Sequence, residues 1–140
     1  MMKLVLLLVS FIASNAMAEL VVSDAYARAM PPGQKNSAAY MTLTNTGAQA
    51  ITLVSAVSLY ARSVELHEHR LVDNVMQMRH LPLVTIMPGE TAYLEPGGKH
   101  LMLFGVNRRL MSGETFYLKL ITKNGRRQLV TMPVKAPWEN

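Results

Sequence analysis

Turn-forming pairs and triplets recur at short intervals along this chain: Pro31-Pro32-Gly33, Asn45-Thr46-Gly47, Asp73-Asn74, Pro88-Gly89, Pro96-Gly97-Gly98, Ser112-Gly113 and Asn124-Gly125. Proline fixes φ and removes a backbone donor, while glycine and asparagine accept left-handed φ, so each cluster stops a regular element. The pieces between them carry β-branched and aromatic residues and are strand-sized: residues 21–27, 38–45, 51–58, 64–72, 75–80, 83–87, 90–94, 100–104, 115–122 and 128–134. Many short strands with regular turn signals predict an all-β sandwich or barrel. Asn124-Gly125 is the strongest hairpin signal, because both residues tolerate the φ values of a type I′ turn. No helical stripe of useful length and no Gly/Ser linker interrupts the pattern, so a single domain is expected.

The first 18 residues stand apart. Lys3 gives a positive start, residues 4–13 are apolar except for Ser10, and Ala16-Met17-Ala18 has small residues where a signal peptidase reads. The apolar run is far shorter than the roughly 20 residues a spanning helix needs. A cleaved signal peptide over residues 1–18 is therefore expected, with a domain of residues 19–140, exported to the periplasm and lacking a membrane span once the signal is removed.

Composition narrows the chemistry. The 140 residues include 11 Met and no Cys, which excludes a thiolate nucleophile, a disulfide framework, a thiolate zinc or blue-copper site and an acylated lipoprotein cysteine. The formal charge is +5, but the basic residues are scattered and form no stripe with interleaved aromatics. No nucleic-acid partner is expected.

The four histidines, His67, His69, His80 and His100, all fall within residues 67–100, with Met76, Met78, Met87 and Met102 in or beside that stretch. If Asp73-Asn74 is a hairpin tip, His69 faces Met78, His67 faces His80 and Leu71 faces Met76. Opposite residues share a sheet face, so His67, His69, Met76, Met78 and His80 project together. Glu65, Glu68, Arg70, Gln77 and Arg79 are assigned to the other side. His100 and Met102, two residues apart, share a face of a later strand. Thioether is a soft neutral donor and imidazole a borderline one, a combination that favours Cu(I) over cations that prefer carboxylate oxygen. Methionine is commonly a core filler, and Met41, Met87, Met111 and Met132 are assigned that role.

At these positions the sequence resembles the periplasmic copper chaperones called PCu(A)C, whose motif is H-x10-M-x21-H-x-M. His67, Met78, His100 and Met102 fit it without an insertion. The flanking text also matches, notably Ala25-Tyr26-Ala27-Arg28-Ala29, Ala38-Ala39-Tyr40-Met41-Thr42-Leu43-Thr44-Asn45, Glu65-Leu66-His67-Glu68 and Glu95-Pro96-Gly97-Gly98. The resemblance implies a cupredoxin-like Greek-key β-sandwich that binds one Cu(I) through those four residues. It further implies delivery to a copper-accepting periplasmic or membrane-anchored partner, such as an oxidase subunit or assembly factor of cytochrome c oxidase. It makes no such claim for His69, Met76 or His80, which stand as auxiliary candidates; Lys99 and His80 depart from the usual pattern. A non-enzymatic carrier, with a monomer as its expected state, is the leading expectation. Its rivals are a His-based copper or zinc enzyme, a copper-buffering or resistance protein, an electron-transfer cupredoxin, and an interaction module with chance His and Met.

Overall fold

The computed structural model describes residues 19–139. The expected signal peptide, residues 1–18, lies outside the described residues. The described chain forms ten strands and no helix: β1 (Leu20–Arg28), β2 (Ser37–Asn45), β3 (Ile51–Val57), β4 (Ala61–Val72), β5 (Val75–His80), β6 (Val84–Ile86), β7 (Thr91–Leu94), β8 (Lys99–Val106), β9 (Thr115–Thr122) and β10 (Arg127–Lys135). Each of the ten sequence-predicted segments overlaps one of them.

The strands run β5-β4-β8-β7-β2-β1-β10-β9-β3-β6, and pairings of β8 with β2 and of β4 with β3 close a ring. β3 meets β4 where Ala56 pairs with Val64. The result is a Greek-key β-sandwich closed into a barrel, because the connection from β2 to β3 crosses from the β8 side to the β9 side. β1 and β10 are a parallel pair. β2 splits its pairing, with Ser37–Ala39 on β8 and Met41–Thr44 on β7.

Alternation sets the core. In β9, Phe116, Leu118 and Leu120 point inward and their neighbours outward; Leu66 of β4 and Leu101 and Leu103 of β8 join them. Met41 and Met132 are buried as expected, and Met30 adds a third sulfur to the core. The core assignment of Met87 and Met111 is wrong. They are 49% and 53% exposed because each occupies a turn between strands, where no inward face exists.

The type I′ turn expected at Asn124-Gly125 occurs instead at Asp73-Asn74. Asp73 and Asn74 have φ of 50° and 61°, and Val72 pairs with Val75 across them, the geometry of a two-residue type I′ turn. At Asn124-Gly125 only the glycine, at φ 84°, is left-handed. The Gly125 amide donates to the Thr122 carbonyl (2.9 Å) and the Thr122 amide to the Arg126 carbonyl (3.0 Å). Three residues thus span that turn, and a three-residue loop favours a type I turn ending in a left-handed glycine.

Candidate metal centre

The register between β4 and β5 is the one expected: His67 opposite His80, His69 opposite Met78, Leu71 opposite Met76. On the other edge of β4, His67 pairs with His100 and Glu65 with Met102. Val64 and Leu66 turn into the core along with Leu101 and Leu103. Glu65, His67 and His69 therefore share the outer face of the sheet with Met78, His80, His100 and Met102. Glu65 does not alternate away, contrary to the sequence assignment: it is two residues before His67, and the strand period is two. Its carboxylate lies 3.0 Å from His67 Nε2.

A cavity of about 200 Å³ opens on this face, and His69, Met78, His100 and Met102 line it together with Arg28 and Tyr40. The far wall is a stack in which the Arg28 guanidinium covers the Tyr40 ring at 5.3 Å and Tyr26 packs on Tyr40 at 5.1 Å. The Ser37 hydroxyl donates to the Arg28 carbonyl (2.6 Å), closing the neck of the loop that follows β1. The Tyr40 hydroxyl is pushed up by burial, so this wall contributes no anion.

The two motif histidines are held differently. His100 is almost fully buried, and its Nδ1 is 3.1 Å from the Gly98 carbonyl. Only a protonated Nδ1 donates there, which leaves the Nε2 lone pair free. His67 lies under Phe104 (5.6 Å between ring centres) and against His80 (5.7 Å). With Nε2–H directed at Glu65, its Nδ1 is a lone-pair nitrogen that is buried and has no hydrogen-bond partner among the described residues. A buried polar atom without a partner is costly, and a metal would satisfy it. His67 itself is not part of the cavity wall. His80 is exposed on the far side of His67, and Met76 is exposed near the hairpin tip, so neither joins the cavity.

Burial holds the His100 imidazole below its ordinary pKa of 6.5, helped by the positive ends of His69, His67 and Arg28 and opposed by the bond to Gly98. Below pH 6.5 the unfolded chain takes a proton at this position that the folded protein refuses, so proton uptake favours unfolding. The metal-free protein should therefore lose stability as pH falls from 6.5 until the folded imidazole titrates. His100→Asn keeps a donor for the Gly98 carbonyl and should flatten that decline, as urea midpoints on either side of this pH will show.

Among the described residues no three His, Asp or Glu side chains converge as a metal-holding group. Contrary to the sequence assignment a carboxylate does stand on the ligand face, and that of Glu65 is bonded to the His67 ring.

Fold and site together define a class: a cupredoxin-like β domain with a soft-donor cavity on one sheet face. Residues 20–134 match the family described as "Putative lipoprotein LpqE-like", and the chain belongs to that family. It is 33% identical over 115 residues to a Leifsonia xyli subsp. xyli protein described as a putative lipoprotein, covering 81% of this chain and 68% of that one. The sequence offers no thiol for the acylation such a name implies. The Cu(I) form of DR1885 from Deinococcus radiodurans has a TM-score of 0.68 at 36% identity, covering 90% of this chain and 84% of that one. Its apo form gives 0.66 at 32%, covering 100% and 97%. A copper-bound PCuAC domain from PmoF2 gives 0.69 at 20% identity over 83% of this chain and 92% of that one, a likeness of fold.

Proposed function

We propose that this chain is a non-enzymatic carrier of Cu(I), a periplasmic chaperone of the PCu(A)C type that holds one ion with His67, Met78, His100 and Met102. The carrying observation is the donor set: two thioethers and two imidazoles share one sheet face across paired strands. All four are neutral when they bind, and their softness suits a singly charged copper ion. The likeness to DR1885, whose Cu(I) form is known at 36% identity, supports the same cargo. The free lone pairs on His67 Nδ1 and His100 Nε2 fit the reading, because a metal-bound imidazole usually donates its other N–H to a carboxylate or carbonyl.

Carriage requires that the ion also be given up. Met78 is on the edge strand β5 and is 46% exposed, so an acceptor's ligand reaches the ion from that side and displaces the donors one at a time. Thiols in an oxidising periplasm are drawn into disulfides; thioethers are not. The acceptor is a copper-accepting periplasmic or membrane-anchored protein, an oxidase subunit or assembly factor, and the signal segment of residues 1–18 takes the carrier to it.

Titration of residues 19–140 with copper, with and without reductant, followed by X-ray absorption, tests the proposal. Two sulfur and two nitrogen neighbours around Cu(I) are expected; a shell of nitrogen and oxygen alone would overturn it. Glu65→Ala should weaken Cu(I) binding by about 10–100-fold, the usual effect of removing a group that orients a ligand. Glu65→Gln, which retains an acceptor, should weaken it less, and competition with a Cu(I) chelator checks both.

A further inference from the structure

The cavity and the motif disagree about one residue. Of the four donors lining the cavity, three are motif residues, but the fourth is His69 and not His67. His69 is directly opposite Met78 across the β4–β5 pair, and its ring stacks on that of His100 at 5.1 Å with 28° between planes. The His67 ring stands 6.2 Å from His100 on the same side of the sheet. A nitrogen about 2 Å from a metal puts its ring centre roughly 3 Å away, so two imidazoles sharing one ion stand roughly 5–6 Å apart. The His69 separation falls in that range and the His67 separation lies just beyond it.

The two rings differ in how they are held. His67 is 12% exposed at its side chain, tied to Glu65 and covered by Phe104. His69 is half-buried, and among the described residues no hydrogen bond fixes its imidazole, since the contact of this residue with Gly98 is made by its backbone amide. One imidazole is anchored deep in the sheet face; the other lines the cavity, stacked on His100.

Resting on the carrier reading, we infer that His69 is a fifth donor that exchanges with His67 on the bound Cu(I). Met78, His100 and Met102 hold the ion throughout. With His67 in the fourth position the ion is stored; with His69 there it sits in the cavity that His69 lines. The exchange breaks one neutral Cu–N bond and forms another, so no proton, electron or further ligand is needed. It lets the ion approach an acceptor without passing through a state that has lost a donor.

Replacing each imidazole separates this from a four-ligand site. His67→Ala should still bind Cu(I) with two nitrogen and two sulfur neighbours by X-ray absorption, weakened by about 10–100-fold, and His67→Ala/His69→Ala should bind more weakly again with one nitrogen lost. His69→Ala should pass Cu(I) to an excess of bicinchoninate about tenfold more slowly, a barrier rise of about 1.4 kcal/mol. His67→Gln stands in if the alanine variant does not fold. Transfer from His69→Ala at the wild-type rate would overturn the inference. So would equal affinity of the single His67 variant and the double variant. If the wild-type chain binds no Cu(I), the carrier reading fails first and this inference falls with it; wild-type binding with an inert His69 overturns only the inference.

Discussion

Cu(I) binding is expected to be lost when Met78 and Met102 are both replaced by leucine. The two thioethers come from different strands, β5 and β8, and supply the soft half of the donor set. Leucine keeps the apolar volume and removes only the sulfur. Losing a group that merely orients a ligand costs about 10–100-fold in affinity, so losing two ligands should cost at least about 10⁴-fold. The imidazoles that remain, His69 included, form no group of three arranged to hold a metal among the described residues. The fold should survive. Met78 is largely exposed and Met102 half-buried, and exchanges of Met for Leu cost under about 1.5 kcal/mol even in cores. A chelator-competition titration under reductant, with a urea curve on the same samples, separates the two effects. Retained affinity would remove the thioethers from the site.

The largest expected effect on stability comes from one amide far from the cavity. Asn45 ends β2 and is fully buried. Its Nδ2 donates to the Gln49 carbonyl at 2.6 Å and the Ile86 carbonyl at 2.9 Å, and its Oδ1 accepts from the Gly47 amide at 3.0 Å. Its backbone joins Glu90 and Gly89 (3.0 and 2.8 Å). The side chain thus ties the end of β2 to β6 and to the loop before β3, while the backbone holds the turn before β7. Asn45→Asp keeps the shape but turns an oxygen toward two carbonyls, burying a charge without a partner. Unpaired buried charges cost about 3–5 kcal/mol, a large part of the 5–15 kcal/mol typical of a whole domain. The urea midpoint should drop accordingly, and recover partly in acid where the carboxyl takes a proton and donates to one carbonyl. A change within about 0.5 kcal/mol, the level of an unremarkable surface substitution, would show that the amide is not the tie described.

Asn45 also illustrates where sequence reading stops. As part of Asn45-Thr46-Gly47 it signals a turn, and a turn is there. That its amide reaches Ile86, 41 residues on, depends on β6 lying beside the end of β2, and no local pattern encodes that. The same limit appears at the methionines. Met41 and Met132 sit at inward positions of strands, Met87 and Met111 in turns, and hydrophobicity alone does not distinguish the two settings. Glu65 is a different case: its position two residues before His67 was sufficient to put it on the ligand face.

The ten strands, the Asp73-Asn74 hairpin and the pairing of His69 with Met78 followed from the sequence, because turn chemistry and a period of two are local properties of the backbone. The grouping of His67, His69, Met76, Met78 and His80 followed for the same reason. Bringing His100 and Met102 to that face required the pairing of β4 with β8, two strands far apart in the chain. Tertiary structure alone decided which of the donors surround a cavity. It turned His67 onto Glu65, left His80 and Met76 outside, and set Tyr40 and Arg28 across from His69. These outcomes depend on how side chains from five strands and one loop fill a common space, and packing of that kind is settled only when the barrel closes.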